Sequence, residues 1–456
     1  MSTLAVNLDL VRKYNVPGPR YTSYPPATQF KPLREPAIWE EEIRHRNQEP
    51  RNLSLYFHLP FCRSLCWYCG CTTVITREQN QSSTYLDYLA KELALAAPTL
   101  NEKNRVVQIH LGGGTPTFLR PDELTELGQL IREHFAVAPA VEAGVEIDPR
   151  RVTEEHIRAL AEGGFNRASI GIQDFDPKVQ LAVHRIQPRE QVNQVVKWVR
   201  EAGFKSINLD LIYGLPYQTV ETFSKTLEAT LDLRPDRLAV FSYAHVPWIK
   251  PAQKSLENHD LPSAETKLQL LKTTIETLTS AGYVYIGMDH FAREGDELAL
   301  AQKQGRLQRN FQGYSTHQGL DIQGFGMSSI SQAGDCYWQN EKELPAYYDS
   351  LNRGRLPLAR GYRLTEDDRI RRQTIMRLMC DMGLEFEQMS REIERPFAEY
   401  FDRELKSIED LELDGLLRRS PAGIEVTNAG RLFIRNIAMR FDPYLASTNR
   451  QFSKTV

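Results

Sequence analysis

The sequence predicts an α/β protein: a parallel sheet of repeated strand–helix units, open or closed into a partial barrel, followed by a mostly helical region. Three observations carry this. From about residue 53, short apolar or β-branched runs alternate with helical patterns long enough to serve as crossovers. These runs end in glycine or polar side chains that a core has no use for. After about residue 365, helical stretches dominate, broken by a short strand-like pair near 416–426.

Residues 1–50 are polar, and the stretch from Pro17 to Pro26 holds four prolines. Proline fixes φ and removes a donor, so this stretch reads as an extended arm. The strand candidates are 53–59, 106–111, 145–147, 168–172, 207–212, 238–243 and 284–286. Helical patterns lie between or after them, at 84–97, 121–134, 153–162, 190–202, 220–232 and 264–281. Thr153 and Thr365 open acidic first turns, as N-caps do. Gly163-Gly164, Gly203 and Gly282 follow helices, as C-terminal caps do.

The bulk composition narrows the function. With 456 residues, 25% charged and 41% hydrophobic, the chain is an ordinary globular sequence with room for more than one domain. A net charge of −3 and no local basic patch argue against nucleic acid. The first residues lack a basic segment, and Asp9 interrupts their apolar stretch, unlike an export signal. No apolar run approaches the roughly 18 residues of a membrane helix. A reducing, cytoplasmic location follows.

Four of the six cysteines fall in Cys62-Arg-Ser-Leu-Cys66-Trp-Tyr-Cys69-Gly-Cys71. Cys62, Cys66 and Cys69 have the spacing C-x3-C-x2-C. Thiolates this close on a loop can hold three corners of an iron–sulfur cube, leaving one iron open to bind something else. Structural zinc takes two separated ligand pairs, and no second pair follows, since Cys336 and Cys380 stand alone. A disulfide framework does not suit so few cysteines in a chain of this length. Spacing therefore ranks iron–sulfur ahead of zinc, and zinc ahead of buried thiols.

In parallel α/β folds chemistry lies beyond the carboxyl ends of the strands. Here the first strand runs through Tyr56 and His58 into the cysteine loop. The second runs into Gly112-Gly-Gly-Thr-Pro-Thr117. The others lead to Glu146 and Asp148, to Gln173 and Asp174, to Asp210 and Tyr213, and to Ser242 and His245. Each has a bland counterpart: a tight turn for the glycines, helix caps for the acids, core for Tyr56. Six successive strand ends of this kind point to one shared pocket, and adjacent glycines let a ligand reach the backbone.

C-x3-C-x2-C after the first strand, with a glycine-rich turn after the second, is similar to the radical S-adenosylmethionine superfamily. Within it, the chain resembles the oxygen-independent coproporphyrinogen III oxidases. The resemblance lies in the segment 56–71, Gly-Gly-Gly-Thr-Pro-Thr (112–117), Glu-Ile-Asp-Pro-Arg (146–150), Gly-Ile-Gln-Asp-Phe (171–175) and Asp-Leu-Ile-Tyr-Gly-Leu-Pro (210–216). It continues in Gly-Met-Asp-His-Phe-Ala (287–292), Asn-Phe-Gln-Gly-Tyr (310–314) and Arg-Asn-Ile (435–437). The related haem chaperone of the same fold is the alternative. It typically has an aspartate and an aromatic after its third cysteine and lacks the arm, whereas this chain has Cys69-Gly70-Cys71 and the arm.

The resemblance implies a partial (βα)6-type, TIM-like barrel. It implies an arm at 1–50, the barrel at 51–300, a connection at 301–364 and a helical domain at 365–456. It implies that Cys62, Cys66 and Cys69 hold a [4Fe-4S] cluster and that Cys71 acts in catalysis. It further implies two molecules of S-adenosylmethionine. Tyr56, Gly113, Glu146 and Ile330 would contact the first, and Tyr68, Gly114, Thr115, Gln173, Arg185, Asp210 and Ala244 the second. The implied reaction converts two propionates of coproporphyrinogen III to vinyl groups, giving protoporphyrinogen IX. An electron donor and acceptor, both unidentified, would serve a monomer. Arg20 and Arg309 are candidates for propionate recognition, and Tyr21 and Tyr24 of the arm for packing on the macrocycle.

Overall fold

Six strands run parallel in chain order, each paired with the next: β1 (Asn52–Leu59), β2 (Arg105–Gly113), β3 (Val137–Ile147), β4 (Arg167–Gln173), β5 (Ser206–Tyr213) and β6 (Arg237–Ser242). They belong to a computed structural model that describes residues 6–33, 39–41, 43–44, 49–447, 452 and 454–455. The sequence expectations for 1–50 and 365–456 fall partly outside those residues, as does the start of the N-terminal segment. Helices Asn80–Ala96, Pro121–His134, Glu154–Glu162, Arg189–Glu201, Val220–Asp232 and Ala264–Ser280 follow the strands, as the alternation predicts. Thr365 accepts from the Asp368 N–H as an N-cap, and Thr153 opens its helix in extended geometry. Gly164, Gly203 and Gly282 take positive φ at helix ends, where a side chain would be strained.

The register explains the sequence of every strand. Side chains alternate across a strand. Leu55, Phe57, Ile109, Leu111, Val145, Ile170, Leu209 and Val240 are buried in the core between sheet and helices. The alternate positions face a lumen: Gln108 and His110 on β2, Glu142, Gly144 and Glu146 on β3, Ser169 and Gly171 on β4, Asn208 and Asp210 on β5, Ala239 and Phe241 on β6. The sheet is thus apolar on its outer side, while its inner side is mostly polar or glycine, with Ala239 and Phe241 of β6 as apolar members. Neighbouring registers put His110 opposite Gly144, Glu146 opposite Ser169, and Gly171 opposite Asp210.

Two expectations are corrected. Residues 284–286 belong to an antiparallel edge strand, Tyr283–Gly287, separated from β6 by His290–Arg293. The bend at Met288, with positive φ, turns the chain back as a hairpin, so no crossover is available for parallel pairing. The connection at 301–364 also carries strands that the sequence did not reveal. Asp321–Phe325 pairs parallel with β1, and Ile330–Ala333, Cys336–Asn340 and Leu358–Arg363 extend the sheet antiparallel. Asp-Ile-Gln-Gly-Phe is too mixed to read as a strand, yet all five residues are buried.

The arm holds a short helix, Leu8–Tyr14, then runs without helix to Pro26. Arg435 donates to the carbonyls of Gly18 and Pro19, and Tyr21 donates to Asp442 at 2.9 Å. Tyr21 and Tyr24 are buried, at 1% and 0% exposure, with the Tyr24 ring 6.1 Å from Tyr444. They are spent on fastening the arm to the C-terminal region and do not face the lumen. That region contains the helix Glu366–Asp381 and a three-stranded sheet, with Gly423–Val426 between Gly383–Glu385 and Leu417–Ser420. The strand-like pair at 416–426 is therefore real and has a third member.

Candidate active site

The lumen opens as a cavity of about 470 Å³ at the carboxyl ends of the strands, beside the cysteine loop. Cys62, Cys66, Cys69 and Cys71 all line it. The loop is sewn to the glycine turn: Gly114 N–H donates to Leu59 O at 2.8 Å and Thr115 N–H to Phe61 O at 2.9 Å. This contact requires glycine, because a Cβ on Gly114 would sit 2.4 Å from Pro60 O. Gly113 has φ +115 and gives its N–H to Glu146 Oε2 at 3.2 Å.

Three acidic groups are arranged differently along the wall. Glu146 accepts from Gly113 and pairs with His110 Nε2 at 3.3 Å. Burial raises its carboxyl, and those two partners more than offset the rise, so it stays below the ordinary range and ionised. Asp148 bridges Arg150 Nη2 at 2.6 Å and Arg185 Nη1 at 3.2 Å. Burial is again opposed by those guanidiniums, which hold Asp148 well below the carboxylate range. Asp210 accepts from Ser169 Oγ at 2.9 Å and Asn208 Nδ2 at 2.7 Å, but burial dominates and lifts it to about 6.

The thiols sit among cations. Arg150 Nη2 is 3.4 Å and Arg185 Nη1 3.6 Å from Cys66 Sγ. Burial pushes the Cys62 thiol up to about 12. The Cys69–Cys71 hydrogen bond draws Cys69 down and Cys71 up. Among the described residues, no three His, Cys, Asp or Glu side chains are grouped to hold a single metal ion. A zinc ion needs every donor within about 2.3 Å of one point. The corners of a cube bind different irons, so their thiols need not converge. Three thiols from one loop, beside two guanidiniums that offset thiolate charge, fit the cluster better than zinc.

The structure brings most of the proposed ligand residues together. Tyr68, Gly113, Gly114, Thr115, Glu146, Gln173, Arg185 and Asp210 line the cavity. Gln173 has φ +68 at the end of β4, and Arg185 Nη2 donates to Gly171 O at 2.7 Å. Tyr56 stands behind the lining, its ring stacked 5.9 Å from His110 and its hydroxyl 3.1 Å from His58 Nδ1. Ala244 is exposed on the loop after β6, and Ile330 packs with Phe30 and Tyr337; neither lines the cavity.

His110, Ser169 and Asn208, which no motif marks, also line the cavity, as do Gln312 and Tyr314 of the 310–314 segment. The signal for the first three was the alternation along β2, β4 and β5, where Gln108 and His110, Ser169, and Asn208 and Asp210 take inward positions between core residues. Arg20 is paired with Asp289 and lies 5.9 Å from the Phe241 ring. Arg309 donates to Tyr21 O and Arg20 O and lies over the Tyr314 ring at 4.7 Å, with Nη1 left without a partner.

Residues 56–230 match the Radical SAM superfamily, and residues 364–433 match the HemN C-terminal domain. The oxygen-independent coproporphyrinogen III oxidase of Synechocystis is 46% identical over 460 residues, covering 100% of this chain and 99% of that one. The protein of the same name from Escherichia coli is 46% identical over 453 residues, covering 99% and 98%. This chain belongs to the oxygen-independent coproporphyrinogen III oxidase family of the radical SAM superfamily. The structure described as coproporphyrinogen III oxidase (HemN) from Escherichia coli, a radical SAM enzyme, superposes with a TM-score of 0.92 at 43% identity, covering 97% of this chain and 100% of that one. Membership in this family implies a [4Fe-4S] cluster and S-adenosylmethionine. No helix among the described residues is long and apolar enough to cross a membrane.

Proposed function

We infer that this chain carries out the oxygen-independent oxidative decarboxylation of coproporphyrinogen III to protoporphyrinogen IX. One observation carries the reading. In a chain alike over its full length to the oxidases, the three-thiol loop opens into the same cavity as the glycine turn, Glu146 and Asp210. When bound, the cluster and S-adenosylmethionine would supply radical chemistry able to remove one hydrogen atom from a propionate side chain. The substrate carbon radical then loses carbon dioxide and one electron to an acceptor, leaving a vinyl group, and this happens at two propionates.

The protein's own residues bind and orient. Cys62, Cys66 and Cys69 hold the cluster. Tyr56, Gly113, Glu146 and Ile330 are assigned to the molecule of S-adenosylmethionine on the cluster. Glu146, ionised and fixed by His110 and Gly113, suits an ammonium group. Tyr68, Gly114, Thr115, Gln173, Arg185, Asp210 and Ala244 are assigned to a second molecule. Arg185 offers a guanidinium to a carboxylate, and Asp210 can accept from ribose hydroxyls. Tyr56, Ala244 and Ile330 would contribute from outside the present lining. Cys71 is assigned to the reaction and not to cluster ligation. Arg20 and Arg309 are candidates for a substrate propionate from outside the present lining, and Asp289 already occupies Arg20. The division into 1–50, 51–300, 301–364 and 365–456, a monomer and a cytoplasmic site complete the reading.

The test is anaerobic incubation of the reconstituted protein with dithionite, S-adenosylmethionine and coproporphyrinogen III, with products separated by chromatography. Protoporphyrin formed together with 5′-deoxyadenosine, and lost in Cys71→Ser at unchanged iron content, is the expected result. Haem binding without either product would sink the reading.

A further inference from the structure

A second, surface cleft of about 340 Å³ shares the wall Ser64, Thr115, Asp148 and Arg150 with the main cavity. Its outer lining is basic: Arg63, Arg77 and Arg151 join Arg150, and Asp148 is the sole carboxylate in the lining. Asp148 is already shared between Arg150 and Arg185. Arg77 and Arg151 are exposed and form no ion pair among the described residues, while Arg63 donates to Gln79. This concentration of cations stands out on a chain of net charge −3. At the same rim Ile186 is 61% exposed.

The cleft abuts the thiols. Arg150 reaches Ser64 Oγ and Cys66 Sγ, each at 3.4 Å, and His184 at the cleft contacts Leu65 O at 2.9 Å and stacks on Trp67. One side chain thus separates the cleft from Cys66. Cys336 and Cys380, outside the loop, are single buried thiols, so the described chain offers no second cysteine cluster to relay electrons. Each electron for the site must come from another molecule at the surface. Transient redox encounters use small interfaces, and charge complementarity sets their speed.

We propose that the Arg63–Arg77–Arg151 cleft is where an acidic one-electron carrier protein docks to reduce the cluster, with Ile186 as the apolar contact. This rests on the radical chemistry inferred above. The test compares 5′-deoxyadenosine formation driven by reduced flavodoxin, used as an acidic carrier, with formation driven by dithionite. Arg77→Glu/Arg151→Glu should cut the carrier-driven rate about tenfold or more at low salt and leave the dithionite-driven rate unchanged. The wild-type carrier-driven rate should fall as salt rises. Titration calorimetry of the two proteins follows docking without turnover and should show binding lost in the double variant. Unchanged binding and carrier-driven rate in the double variant, or a wild type that dithionite drives and the carrier neither binds nor drives, would overturn the proposal. No turnover with dithionite, despite salt-sensitive binding of the carrier, is the separate failure of the functional reading.

Discussion

Replacing Asp148 by Asn tests how the cysteine loop is held. Asp148 is mostly buried and bridges two guanidiniums, at 2.6 Å to Arg150 and 3.2 Å to Arg185, and both of these approach Cys66 Sγ. Asp148→Asn keeps the shape and one acceptor but leaves two neighbouring buried cations uncompensated. Removing one partner of a buried pair costs about 3–5 kcal/mol. The retained amide oxygen places this case at the low end, about 3 kcal/mol. Because the folded-state carboxyl lies below its ordinary value, its contribution is present above about pH 4 and is lost as pH falls through the folded value. Denaturant unfolding of the metal-free protein should therefore show the full difference near pH 7 and a shrinking one in acid. Iron retained after reconstitution should fall in parallel. A difference below about 1 kcal/mol at pH 7, the level of an exposed pair, would refute the bridge as a structural element.

Other consequences follow from the same geometry. Glu92 is buried, accepts from Tyr347, Gly326 N–H and Asn340, and burial lifts it to about 7. A raised carboxyl value means stability falls as pH rises from its ordinary value through 7. Wild type should lose about 3 kcal/mol over that span relative to Glu92→Gln in paired denaturation curves, and parallel curves would contradict the assignment. Gly114→Ala pushes a Cβ to 2.4 Å from Pro60 O. It should cost about 1–3 kcal/mol and release iron from the reconstituted protein, whereas unchanged iron would mean the loop gives way freely. Asp210→Asn should weaken S-adenosylmethionine binding about tenfold, roughly the worth of one charged hydrogen bond, with iron content unchanged, as equilibrium binding would show.

The sheet was legible in the sequence because its outward positions are Leu, Ile, Val and Phe. The inward ones, among them Gln108, Glu142, Glu146 and Asn208, diluted the same runs and made β3 read as three residues instead of Val137–Ile147. Asp321–Phe325 stayed hidden for a related reason: it is buried on both faces yet carries Gln323 and Asp321, whose ion-pair partner Arg51 lies far away in sequence. The cysteine spacing and strand ends pointed to many of the residues that line the cavity, since strand carboxyl ends converge whatever the intervening helices are. Tertiary assignments fared worse. Arg20, Tyr21 and Tyr24 looked free for substrate, but Asp289 and Asp442, far along the chain, occupy Arg20 and Tyr21, and Tyr24 is packed by Tyr444. No local pattern announces such partners.

On the function proposed, hydrogen leaves a propionate side chain to a radical generated beside the three-cysteine loop. Coproporphyrinogen III deuterated at its propionate methylenes, turned over anaerobically with dithionite and S-adenosylmethionine, tests it most directly. The expected product is 5′-deoxyadenosine carrying one deuterium, appearing together with protoporphyrin. Unlabelled 5′-deoxyadenosine alongside vinyl product would contradict it.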